Sequence, residues 1–147
     1  FTRQKTAPQL RDEQAFADIS RGGYVLVREA GSLDAVIIAT GSEVEVAVEA
    51  ASQLADDGLG VRVVSMPCTD VFLSQDDAYR NAVLPMETRA RVAVEAAHPD
   101  YWYRFVGLDG TVVGVDRFGV SAPGAQAMSE VGITLENVVT AVRSVLG

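Results

Sequence analysis

The clearest hydrophobic pattern in the chain runs from residue 35 to residue 66. Ala35–Ala39 is a continuous apolar run, which is typical of a strand covered on both faces. From residue 44 to residue 54, apolar side chains recur every three or four positions and predict a helix. Val61–Ser65 has the pattern of a second buried strand. A strand, a helix and a strand in this order predict a βαβ unit, which requires a parallel sheet.

Two local signals refine this unit. Ser42 and Glu45 have the S-x-x-E spacing of a capping box, so we expect them to cap the helix reciprocally. Gly58 is expected to end the helix, and Pro67 to stop the strand that follows.

The same reasoning predicts elements in the rest of the chain. We expect strands at 24–27, 91–95 and 111–115, short helical segments at 14–20, within 70–84 and at 100–105, a helix from Ser121 to Gly132, and a final helix capped by Thr134. Strands that alternate with helices predict an α/β fold with a mostly parallel sheet.

Composition and charge narrow the possible functions. The chain has 147 residues, 48% of them hydrophobic, and a net charge of −8, without a basic run that would favour nucleic acid or an anionic membrane. Cys68 is the single cysteine and His98 the single histidine, so neither a disulfide framework nor a metal centre is expected. No apolar stretch approaches the ~20 residues that span a bilayer. We therefore expect a cytoplasmic protein.

The turn Thr40-Gly41-Ser42 is the first candidate for chemistry, since amides at a helix amino terminus can bind phosphate. Glu43 and Glu45 follow in the first helical turn, where their charge would repel an anion. The turn also lacks the lysine of a P-loop and the three glycines of a dinucleotide motif. These observations favour a structural hinge over an anion site.

The remaining candidates have simple structural interpretations. Cys68 and His98 follow predicted strands, but without recognisable partners they are interpreted as a partly buried thiol and a loop histidine. The aromatic residues 101–105 favour packing over base stacking, and Asp76-Asp77 favours a solvated helix start. Arg3 could grip a phosphate, although exposed arginines near a terminus are usually only solvated.

Several stretches, taken in order, resemble the carboxyl-terminal domain of transketolase along essentially the whole chain. They are TRQ at 2–4, RGGYVL at 21–26, IATGSEV at 38–44, VVSMP at 63–67, RVAVEA at 91–96, YWY at 101–103 with VGL at 106–108, and FGVSAP at 118–123. The resemblance implies a three-layer α/β sandwich with a five-stranded mixed sheet in which one strand is antiparallel. The strand at 24–27 is the candidate for that antiparallel strand.

The resemblance also implies a function for a longer parent protein. Transketolases are transferases of the pentose phosphate pathway that move a two-carbon ketol unit between sugar phosphates. They use thiamine diphosphate with Mg or Ca, held by two upstream domains, and act as homodimers. No cofactor, metal or catalytic residue is therefore expected within this chain, which should be inactive alone.

The resemblance further implies how the chain is divided. Residues 1–11 would be a connector from an upstream pyrimidine-binding domain, and residues 12–147 the carboxyl-terminal domain. In the family, the arginine of a Ser-Arg-Gln segment grips the substrate phosphate, and Arg3 matches it, with Thr2 in place of serine. Arg3 is thus the candidate substrate-binding residue. Because the chain opens on Phe1, we also expect it to be part of a longer protein.

Two alternatives stay open at this stage. The domain could be a regulatory module that binds a nucleotide or small anion near Thr40-Gly41-Ser42, Cys68 and His98. It could also be the last domain of a related thiamine enzyme, such as a ketoacid dehydrogenase subunit or dihydroxyacetone synthase.

Overall fold

The computed structural model describes residue 6 and residues 8–115 and 132–147. Arg3 and the predicted helix that starts at Ser121 lie outside these described residues.

Six helices and five strands make up the described part of the chain. The helices are α1 (Glu13–Asp18), α2 (Glu43–Asp56), α3 (Thr69–Leu73), α4 (Asp77–Val83), α5 (Tyr103–Val106) and α6 (Leu135–Leu146), and short 3-10 helices lie at Ile19–Arg21 and Pro99–Trp102. The strands are β1 (Tyr24–Val27), β2 (Ala35–Ala39), β3 (Val61–Ser65), β4 (Arg91–Val94) and β5 (Thr111–Val113). The apolar runs predicted β1, β2 and β3 with these bounds, and β4 and β5 end one and two residues earlier than expected.

The five strands form one mixed sheet with the order β1-β3-β2-β4-β5. β2 pairs in parallel with both β3 and β4, β5 continues the parallel part, and β1 pairs antiparallel with β3. The expected mixed sheet with one antiparallel strand is thereby confirmed. The central position of β2 explains its unbroken apolar sequence, since all five of its residues are buried.

Helices cover both faces of this sheet, which confirms the three-layer arrangement. On one face, α2 and α6 pack Leu54, Val138 and Val142 against the inward side chains of β2, such as Ile37. On the other face, residues of α3, α5 and the loops pack against Val36 and Ile38; they include Phe72, Trp102 and Phe105. Because side chains alternate along a strand, β2 supplies both cores at once.

The start of α2 differs from the predicted capping box. Ser42 already has helical dihedral angles (φ −71°, ψ −23°), and its hydroxyl donates to Oε1 of Glu43 at 2.8 Å instead of capping an amide. The reason is Gly41, whose φ of +60° turns the chain one residue earlier than the motif requires. The amide of Glu43 then donates to the carbonyl of Thr40 at 3.2 Å.

Other predicted helix ends are confirmed. Oγ1 of Thr134 accepts from the amide of Asn137 at 3.2 Å, and Oδ1 of Asp76 accepts from the amide of Tyr79 at 2.8 Å. Gly58, with a φ of +84°, follows the end of α2. Side-chain caps of this kind supply partners for amides that the helix itself leaves unbonded.

Candidate functional site at the carboxyl edge of the sheet

The parallel strands β2, β3 and β4 end at the same edge of the sheet, which we call the carboxyl edge. Thr40, Pro67 and Glu95 follow these three strands and line common cavities. One cavity of about 680 Å³ is also lined by Gly41 and Glu43, at the start of α2. Ligands of open α/β sheets commonly bind at such an edge, so this is where a site is to be sought.

Two carboxylates dominate this cavity. Glu43 is only 4% exposed, and Glu95, from the end of β4, is half-buried. Burial, together with the nearby Glu43 carboxylate, raises the pKa of Glu95 to about 7. Among the described residues, no arginine or histidine forms an ion pair with either carboxylate. Two carboxylates without a cationic partner in the described part of the chain, beside the turn at Gly41, disfavour phosphate there.

Cys68 and His98, thirty residues apart in sequence, line the same neighbouring cavity of about 430 Å³. The thiol is exposed, so its prediction as partly buried is wrong; Pro67 carries the chain outward before α3 begins. His98 is also exposed, and its Nδ1 lies 3.5 Å from the amide of Asp100. A loop histidine at a 3-10 helix start agrees with this geometry.

The aromatic residues that follow His98 divide between core and surface. Trp102 and Phe105 are buried, with ring centroids 5.6 Å apart, which confirms packing for these two. Tyr101 and Tyr103 stay about half exposed, and Oη of Tyr101 lies 2.7 Å from Oγ1 of Thr69. This hydrogen bond links the loop after β4 to the start of α3.

A third cavity, of about 440 Å³, lies between the segment before α1 and the carboxyl edge. Thr6, Pro8, Gln9 and Arg11 line one side, and residues of β1, β3 and the turn after β2 line the other. Nε of Arg11 donates to Oη of Tyr24 at 2.9 Å. Sequence reasoning missed Arg11, because no local pattern indicates that it contacts a side chain thirteen residues away.

The described residues contain neither a membrane-spanning helix nor a metal-binding group of side chains. No helix there is long and apolar enough to cross a membrane. Within the same part of the chain, no three or more His, Cys, Asp or Glu side chains are grouped so as to hold a metal ion.

Fold and edge together define an α/β sandwich domain with a mixed five-stranded sheet and an acidic carboxyl edge. A sequence model described as the transketolase-like carboxyl-terminal domain matches residues 22–134. The chain therefore belongs to the transketolase family, as its carboxyl-terminal domain.

Curated relatives support this assignment over nearly the whole chain. The chain is 52% identical to Transketolase 1 of Escherichia coli (strain K12) and 51% identical to Transketolase 2 of Vibrio vulnificus (strain CMCP6). Each match spans 146 residues, which is 99% of this chain and 22% of the relative. The chain thus has about a fifth of the length of these relatives.

Solved structures agree with the sequence comparison. A transketolase from Leishmania mexicana superposes with a TM-score of 0.88 at 40% identity, covering 98% of this chain and 20% of that one. A protein described as "Split gene transketolase, inactive beta4 tetramer" superposes with a TM-score of 0.65 at 28% identity, covering 95% of this chain and 45% of that one.

Proposed function

We propose that this domain serves a longer transketolase, which transfers a two-carbon ketol unit between sugar phosphates, and that its own roles are structural support and one contact to the substrate phosphate. The observation that carries this proposal is the match of 99% of this chain to 22% of curated transketolases. Related structures from Pichia stipitis are described as complexes with xylulose 5-phosphate and sedoheptulose 7-phosphate, which supports phosphorylated sugars as substrates.

In this proposal, thiamine diphosphate and its Mg or Ca ion are held by the upstream domains. When bound, this cofactor supplies the carbanion chemistry that moves the ketol unit. The carboxyl edge does not fit a diphosphate, because Glu43 and Glu95 line its cavity of about 680 Å³ without a cationic partner among the described residues. The parent would act as a homodimer in the cytoplasm, within the pentose phosphate pathway.

The substrate contact is assigned to Arg3, in the proposed connector of residues 1–11. A guanidinium presents a planar fork of donors that matches phosphate oxygens, and it remains charged at all physiological pH values. One charge-assisted contact of this kind contributes about 1.5–3 kcal/mol.

Assays of this chain with and without the upstream domains test which part of the protein is needed for activity. The isolated chain, supplied with thiamine diphosphate, Mg²⁺ and xylulose 5-phosphate, is expected to transfer no ketol unit. Mixing it with the separately expressed upstream domains should restore activity that neither part has alone. Turnover by the isolated chain would contradict the proposal. The related beta4 tetramer described as inactive supports the expected result.

The first prediction concerns Arg3 in the full-length protein. Arg3→Ala should raise KM for xylulose 5-phosphate roughly 10- to 100-fold, because it removes a charge-assisted contact. Unphosphorylated xylulose, which lacks the group that Arg3 binds, should show an unchanged KM. Arg3→Lys is the matched control and should recover part of the loss. Equal effects on both sugars would remove Arg3 from the phosphate site.

A further inference from the structure

The segment before α1 is tied to the sheet by one arginine. Nε of Arg11 donates to Oη of Tyr24 at 2.9 Å, and its Nη1 donates to the carbonyl of Gln9 at 3.1 Å. The first bond joins the segment to β1. The second joins the Arg11 side chain to the backbone of the same segment, two residues earlier. Together they determine the direction in which the chain approaches α1.

The acceptor on the sheet is rigidly placed. Tyr24 is 2% exposed, and as the first residue of β1 it is opposite Ser65 of β3. Burial and strand pairing restrict how far Tyr24 can move to follow its partner. Arg11 therefore bonds to a stationary point of the fold.

Little apolar packing supports the segment on its outer side. Leu10 is 95% exposed, and Pro8 is exposed as well. The cavity of about 440 Å³ lies between the segment and the carboxyl edge, where a packed side chain would otherwise fill the space. The hydrogen bonds of Arg11 are thus described contacts that join this exposed segment to β1.

Arg3 lies eight residues before Arg11, a stretch that reaches at most about 29 Å when fully extended. Arg11 therefore limits the region that Arg3 can reach. Small errors in placement at a binding site are costly, because a fork-shaped group must meet its ligand in one orientation.

We propose that Arg11 and Tyr24 act as positioning residues, anchoring the connector so that Arg3 meets the substrate phosphate. This inference rests on the proposed function of Arg3. Neither anchor residue contacts the substrate, and their effect is expressed through Arg3 alone. The anchor bonds are consequently expected to matter for phosphorylated substrates only.

The kinetic test uses the full-length protein and the conservative variant Tyr24→Phe, which keeps the buried ring and removes the hydroxyl. We expect KM for xylulose 5-phosphate to rise roughly three- to tenfold, with kcat retained and with KM for xylulose unchanged. Arg11→Met should behave in the same way. Arg11→Lys should recover part of the loss, since it keeps one donor but not the fork.

Tyr79→Phe is the matched control. Oη of Tyr79 donates to the carbonyl of Gly23 at 2.8 Å, so this variant also loses a tyrosine hydroxyl bond next to β1. It does not touch the segment before α1, and its KM ratio for the two sugars should equal that of the wild type. An equal change of the ratio in Tyr24→Phe and Tyr79→Phe would overturn the anchor.

Combination with Arg3→Ala separates the anchor from the function on which it rests. In the Arg3→Ala background, Tyr24→Phe should have no further effect on KM for xylulose 5-phosphate. If Arg3→Ala alone leaves the ratio of the two KM values unchanged, the proposed function of Arg3 fails. If Arg3→Ala changes the ratio and Tyr24→Phe does not, the anchor fails by itself.

Discussion

Two pairs of charges, each with one buried and one partly buried side chain, are arranged in opposite ways in this domain. Arg62 of β3 and Glu29 form a bidentate ion pair, with contacts of 2.6 Å and 2.8 Å, and the arginine also donates to the carbonyls of Ala82 and Val83. Glu43 and Glu95 have like charges and no described cationic partner. The first pair links β3 to the loop after β1 and to the end of α4, and the second lies at the carboxyl edge.

The two pairs should make the stability of the fold depend on pH in opposite directions. The hydrogen bond from Arg62 lowers the pKa of Glu29 in spite of opposing burial, whereas burial and Glu43 raise the pKa of Glu95. Ionised Glu29 therefore stabilises the fold above its unfolded pKa, and that stability is lost as pH falls through the folded value. Glu95 has the opposite effect, because the folded state binds its proton more tightly than the unfolded state. The stability that protonated Glu95 contributes is present at low pH and is lost as pH rises through about 7.

The largest expected effect comes from breaking the matched pair. Glu29→Ala leaves the buried guanidinium of Arg62 without its countercharge and should lower the free energy of unfolding by about 3–5 kcal/mol. Urea denaturation at pH 7 measures this change. The double variant Glu29→Leu with Arg62→Met is the control, and it should lose far less because no charge remains buried. A double variant as unstable as Glu29→Ala would argue that shape, and not charge, is decisive.

An intermediate effect is expected from removing the mismatch at the carboxyl edge. Glu95→Gln should raise the free energy of unfolding at pH 8 by about 1 kcal/mol, a value discounted for the partial exposure of Glu95. The gain should shrink as pH falls from about 7 towards 4.5, where the wild-type carboxyl also becomes neutral. Denaturation series across this pH range measure it.

The exposed carboxylate of Glu49, on the same helix as Glu43, provides the control for that experiment. Glu49→Gln should leave the pH dependence of unfolding as it is in the wild type. A gain in Glu95→Gln that is independent of pH would mean that ionisation of Glu95, disfavoured by burial and by Glu43, is not its cause.

The smallest effect is expected for a pair on the surface. Arg143 of α6 contacts Asp57 at 2.6 Å, but both side chains are about half exposed. Water screens such pairs, so Arg143→Ala should change the free energy of unfolding by about 0.5 kcal/mol or less. A loss of stability similar to that of Glu29→Ala would show that burial does not decide how much these two ion pairs contribute to the free energy of unfolding.

Much of the fold could be predicted from local pattern. The predicted bounds of β1, β2 and β3 matched the observed strands. For the central strand β2, the reason is that a strand covered on both faces must be apolar on both sides. Strand pairing was harder to predict from the hydrophobic pattern. The antiparallel direction of β1 was expected from the family resemblance and not from hydrophobicity. The capping box failed because motif spacing does not reveal the conformation of Gly41.

Less of the candidate site could be predicted. Local sequence identified Thr40, Cys68 and His98 as residues that follow strands, and it found the acidic start of α2. It did not indicate that Glu95, fifty-two residues beyond Glu43, lies close enough for the Glu43 carboxylate to raise its pKa. Strand order determines that neighbourhood, because β2 and β4 are adjacent in the sheet although α2 and β3 separate them in sequence.

By itself, the sequence predicted the strands and the described helices from local pattern, and the resemblance of its ordered motifs to transketolase indicated the family and the candidate role of Arg3. The tertiary structure alone decided which polar side chains meet: Arg62 with Glu29 across thirty-three residues, and Arg11 with Tyr24 across thirteen. The physical reason is that hydrophobic periodicity reports burial, whereas electrostatic partners are chosen by the packing of distant elements.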